Sequence, residues 1–166
     1  MNQYIYFNEE ELEIMSRLLV MSVREVVVAD GEVNNIEFNP LTYSINNPGL
    51  FPIPIVGEVL QYMNQKGPNY GPDIIKEINE KLDTDIFYEM TNYARRVLDN
   101  LHRKDKEAFL AGLYGLLLET VHADGHKDEE ESAASLDIIR SITDLNMKDV
   151  VKMNKTWRKK ARRFGY

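Results

Sequence analysis

Cysteine is absent from this sequence, which excludes disulfides, thiol catalysis and thiolate metal sites outright. No apolar stretch approaches the roughly 20 residues needed to cross a bilayer. The opening Met1-Asn2-Gln3-Tyr4 lacks the basic start and apolar core of a secretory signal, and a cytoplasmic chain is expected. Strand periodicity is scarce, and no hairpin turn lies between alternating apolar residues. Catalytic signatures are missing too: there is no Gly-rich phosphate loop, no nucleophile elbow and no His-Glu-x-x-His. No His-Asp dipeptide occurs either, which argues against a helical metal phosphohydrolase of that type.

What is present is ordinary globular material. The chain has 166 residues, 43% apolar and 28% charged, which suits one compact domain over 1–166 and neither disorder nor a fibrous repeat. The net charge is −7, but its distribution is uneven. Residues 148–166 hold eight Lys or Arg against one acid, about +7, so the rest carries about −14. An acidic body of that size repels nucleic acid and attracts cations. A divalent cation is therefore an expected partner and nucleic acid is not.

Helical periodicity dominates. Asn8 with Glu11 has the spacing of a capping box, and Leu12, Met15, Leu19, Val23, Val26 and Val27 follow at intervals of three and four. Apolar Ile14, Leu18, Val20 and Met21 occupy the other faces, which makes this first helix central and buried. The pattern breaks over 39–57, where Pro40, Pro48, Pro52 and Pro54 predict an irregular connection packed on the helices. Further helices are predicted over 56–65, from Asp73, from Thr84 or Asp85 to Leu101, and over 106–122, 128–143 and 147–164. The expected fold is all-α, a single compact bundle of about seven helices.

One internal repeat carries the candidate chemistry. Glu25-Val26-Val27-Val28-Ala29-Asp30-Gly31, followed by Glu37, recurs as Glu119-Thr120-Val121-His122-Ala123-Asp124-Gly125, followed by Glu131. The two copies lie 94 residues apart, and the preceding helices stay in register: Met15 with Phe109, Leu19 with Leu113, Val23 with Leu117. Two pseudo-symmetric halves are expected. Helix grammar accounts for part of this, since glycine terminates helices and Asn34–Glu37 and Asp128–Glu131 are spaced as capping boxes. It does not account for Asp30 and Asp124. Placed in the last turn of their helices, these carboxylates would meet the negative end of the macrodipole, at a cost of roughly 0.3–1 kcal/mol.

Around the aspartates gather Glu32 and Glu37 in one copy and Asp128 to Glu131 in the other. Oxygen-rich clusters of this kind suit hard divalent cations such as calcium. The second copy adds His122 and His126 on either side of Asp124, and imidazole beside carboxylate suits zinc. The candidate metal ligands are thus Asp30, Glu32, Glu37, His122, Asp124, His126 and Glu131. No EF-hand is present: its sixth and twelfth positions would fall on Asn35 and Leu41, or on Glu129 and Ser135. Glu119-x-x-His122 matches one di-iron bundle unit, but Val28 stands where the first copy would need its histidine. His102 has no evident partner and reads as structural.

Helix–Ala-Asp-Gly–five residues–Glu, given twice in a small acidic helical chain, resembles the tellurite-resistance TerB-like family. Val33 after Asp30-Gly31-Glu32, Ala123-Asp124-Gly125, and the closing segment Ile138 to Leu145 carry the likeness, which spans roughly 12–151. The resemblance implies a helical bundle with an acidic, metal-binding site at Asp30, Glu37, Asp124 and Glu131. It also implies a cytoplasmic stress-response role alongside membrane partners. The connection over 39–57 departs from the family's helical continuation.

The basic end, 147–164, is an amphipathic helix by spacing. Val150, Met153, Trp157, Ala161 and Phe164 share one side, and Lys152, Lys155, Arg158, Lys159, Lys160, Arg162 and Arg163 surround them. Packing on the acidic body is one reading; contact with protein partners at the inner face of the membrane is the other. Three functional classes follow from the whole sequence. The chain is a non-enzymatic metal-binding module, a metal-dependent enzyme built on His122, Asp124 and His126, or a purely structural interaction protein.

Overall fold

The computed structural model describes residues 4–29, 31, 35–81, 84–123 and 129–163. Among them are eight α-helices and no strand: α1 (Glu9–Val27), α2 (Asn39–Asn46), α3 (Pro54–Gln65), α4 (Tyr70–Lys81), α5 (Thr84–Asp99), α6 (Arg103–Val121), α7 (Glu129–Ile142) and α8 (Met147–Arg163). The all-α bundle expected from periodicity is the fold observed.

The helix starts follow from local chemistry. At α1 the Asn8 Oδ1 accepts the Glu11 N–H at 2.8 Å while the Glu11 carboxylate accepts the Asn8 N–H at 3.0 Å, so the capping box forms as its spacing predicts. The prolines act differently from expectation. Instead of an irregular connection, a 3-10 turn over Asn35–Phe38 runs into α2, and a second covers Pro48–Leu50. Pro40 lies in the first turn of α2, Pro54 opens α3 and Pro72 lies in the first turn of α4. There the missing N–H has no intrahelical acceptor and the fixed φ is already helical. At Pro40 and Pro54 proline starts helices where its density suggested a loop.

The core is organised around α1 and α6. On α1, Leu12, Met15, Leu18, Leu19, Val20, Val23 and Val26 are fully buried; on α6, Phe109, Leu110, Leu113 and Leu117 are. Burying one such side chain is worth about 1.5–3 kcal/mol, so these two helices supply much of the driving force. Glycine lets the neighbours come close. A Cβ on Gly112 would stand 2.6 Å from Val56 Cγ2 of α3, and one on Gly115 2.6 Å from Asn154 Nδ2 of α8. Asn154 is buried there, and its amide donates to the Ala111 carbonyl at 2.9 Å.

The repeat is structural. α1 and α6 have 19 residues each, with both bounds offset by 94. The 3-10 turn that leads into α2 begins at Asn35 and α7 at Glu129, the same offset. It extends to a third helix: α3 aligns with α8, Val56 with Val150 and Leu60 with Asn154, all four buried. Each half is therefore three helices, with α4 and α5 between them. The halves interlock, because α2 packs on α6 and α7 packs on α1.

Candidate acidic site at the duplicated turns

Both long helices end in the same hydrogen-bond pattern. The Val28 N–H donates to Arg24 O and the Ala29 N–H to Val26 O; 94 residues on, His122 donates to Leu118 O and Ala123 to Thr120 O. The four distances are 3.0, 3.2, 3.1 and 3.3 Å. The i→i−3 bonds tighten the last turn, as helix ends commonly do. Gly31 then adopts φ +82°, the left-handed conformation for which glycine is suited. α1 ends at Val27 and α6 at Val121; Asp30 and Asp124, expected in the last turn of these helices, lie outside the described residues.

Of the seven candidate ligands, Asp30, Glu32, Asp124 and His126 lie outside the described residues. Asp128, a further member of the acidic run, does also, as does Asn34; both predicted capping boxes at these turns involve one of these two residues. His122 is the exposed C-cap residue of α6. Glu37 and Glu131 are the informative pair. Both are only 2% exposed, Glu37 in the 3-10 turn and Glu131 in the first turn of α7. Glutamate is almost never buried this deeply without compensation. Each segment packs against both α1 and α6, so the two glutamates are carried on the same central pair of helices. Glu129 and Glu130, by contrast, are exposed. Among the described residues, no three metal-capable side chains come together.

Two features went unread in the sequence. The first is a carboxylate held by phenols: Glu13 Oε2 accepts the Tyr62 hydroxyl at 2.8 Å and the Tyr70 hydroxyl at 2.6 Å, with Arg17 Nε 3.4 Å from Oε1. Burial pushes Tyr62 up to about 12, with the Glu13 charge adding to it, and raises Tyr70 for the same reasons. Burial also pushes the Glu13 carboxyl up, but the hydrogen bonds from Tyr70 and Tyr62 and the Arg17 charge outweigh it and hold the group below its ordinary value. The partners lie 49 and 57 residues from Glu13, so no local signal announces them. The second is a cleft of about 200 Å3 between α1, α4 and α5, with Ile14, Ile78 and Met90 among its lining. Its cations are engaged, Arg17 with Glu77 at 3.0 Å and Lys81 with Glu77 at 3.2 Å. Among the described residues no serine, threonine or histidine lines it.

Comparison with protein-family models, with curated proteins and with solved structures finds no match to this chain. Among the described residues no helix is long and apolar enough to cross a membrane.

Proposed function

We propose that the chain is a non-enzymatic, metal-binding module of the TerB-like, tellurite-resistance type, with the duplicated acidic turns as its site. The observation that supports this reading most is the matched burial of Glu37 and Glu131, 94 residues apart at the far side of the two turns. Two buried carboxylates at equivalent positions on one central helix pair put oxygen donors beside both turns. Glu37 and Glu131 would hold a divalent cation together with Asp30, Glu32 and Asp124, an oxygen set that suits calcium. His122 and His126 would add the nitrogen donors that suit zinc. The cation supplies neutralisation and ties the two turns together. The stress-response role comes from the family resemblance, as does a place in the cytoplasm beside the membrane, with protein partners met through α8.

The test is calorimetric titration with calcium, zinc, magnesium and manganese, beside a thermal melt with and without chelator. Binding of one ion, abolished by Asp30→Asn with Asp124→Asn and weakened by Glu37→Gln or Glu131→Gln, is the expected result. A melt that ignores chelator, with no heat from any ion, would leave a purely structural protein and overturn the reading.

A further inference from the structure

α3 and α8 are equivalent helices of the two halves, yet their outer faces differ in what lies on them. On α3 the face bearing Glu58 and Gln65 is covered by the chain's own arm, Tyr4 to Phe7, which bends at Ile5 and Tyr6. The backbone N–H groups of Ile5, Tyr6 and Phe7 all donate to the Glu58 carboxylate, the latter two at 2.9 and 3.0 Å. The Tyr4 hydroxyl donates to Gln65, and its ring sits edge-on to Tyr62 at 6.1 Å.

Adding 94 to Pro54, Glu58, Gln61 and Gln65 gives Lys148, Lys152, Lys155 and Lys159. Their spacing of four, three and four puts the lysines on one helix face, opposite the buried Val150 and Asn154. All four are exposed, and among the described residues none forms an ion pair. Arg17, Arg24, Lys81, Arg95, Arg103, Lys106 and Arg140 each do.

We infer that this lysine face of α8 binds an extended acidic segment of a partner protein, in the place that the Tyr4–Phe7 arm takes on α3. The charge reversal sets the chemistry. Glu58 gathers the electropositive N–H groups of a bent backbone; Lys152 stands in its place and calls for carboxylates. From Lys148 to Lys159 the helix rises about 16 Å, the length of roughly five extended residues. Acids on alternate residues of such a segment recur every ~6.6 Å, close to the rise of ~4.5–6 Å between successive lysines. A bilayer fits less well. Its charge extends well beyond the lysine face, and the net charge of about −14 carried by the rest of the chain opposes its approach. The side of α8 that could insert into lipid is occupied at Val150 and Asn154 by α6. A short segment stays within the screening length of the lysines, ~8–10 Å. This inference names the partner chemistry of the α8 contact proposed above and does not depend on a bound metal.

The experiment uses the full chain and a fluorescein-labelled octapeptide alternating glutamate with proline, which cannot become helical, read by anisotropy at low and physiological salt. The glutamate peptide is expected to bind and weaken with salt, while its glutamine counterpart does not bind. Lys152→Gln with Lys155→Gln should weaken binding by about two- to fivefold per lysine. Lys76→Gln with Lys104→Gln, exposed lysines that likewise form no ion pair among the described residues, should leave it unchanged. Equal loss from that second pair overturns the inference, and so does the absence of binding. Pelleting with phosphatidylglycerol vesicles in place of peptide binding overturns the acidic-segment partner and keeps the membrane-side location. A silent metal titration beside normal peptide binding removes the metal reading alone.

Discussion

Glu13 illustrates how single side chains set this protein's response to pH. Its carboxylate is held by two phenols and a guanidinium, so the charged carboxylate and the neutral tyrosines are all favoured by folding. The signs oppose each other. The carboxylate's contribution is present above the ordinary value of 4.5 and is lost as pH falls through its depressed pKa. The contribution of Tyr62 is present below the ordinary value of 10.0 and disappears as pH rises through about 12. Urea midpoints should therefore fall on the alkaline side between those two values. Tyr62→Phe with Tyr70→Phe should flatten that limb and lower stability at neutral pH by about 1–3 kcal/mol, the usual effect of hydrogen bonds to a charged group. An unchanged alkaline limb in the double variant would show that the cluster contributes nothing.

At the scale of elements, much was legible because helix starts and stops obey local rules. Asn8 and Glu11 announced α1, and the Ala-Asp-Gly repeat announced where α1 and α6 end. Pro40 and Pro54 misled, because proline has one meaning inside a helix and another in its first turn, and only the bounds of α2 and α3 decide which applies. The tight approach of α3 to α6 also has no local signature beyond a glycine. Gly112→Ala would drive a methyl against Val56 Cγ2 and Ile53 Cδ1, and overpacking of this kind costs about 1–3 kcal/mol. Urea denaturation should show the midpoint lowered with the slope unchanged; a neutral result would mean that α3 shifts without penalty. The arm over α3 is a further element hidden from sequence, since Glu58 gathers three backbone N–H groups more than fifty residues away.

For the molecule as a whole, the interlocking of halves matters most. α2 rests on α6 and α7 on α1, so opening either half exposes the apolar surface of the other. Native-state hydrogen exchange should find the innermost amides of α1 and α6 opening only with global unfolding, and with the same free energy. Exchange from α1 to α3 at a lower free energy than from α6 to α8 would mean that the halves unfold separately. The charge asymmetry belongs to this scale as well: among the described residues seven cations of the body form ion pairs, and Lys148, Lys152, Lys155 and Lys159 of α8 form none.

The amino-acid order alone determined the helical class, the presence of two equivalent central helices and the offset of 94 that relates the two halves. Periodicity and capping act over a few residues, and a repeat is visible to simple alignment of the chain with itself. Tertiary structure decided that the repeat extends to α3 and α8, that Glu37 and Glu131 are buried while His122 is exposed, and which outer face remains open. Burial depends on what packs across from a side chain. Those partners stand tens of residues away, where local spacing carries no record of them.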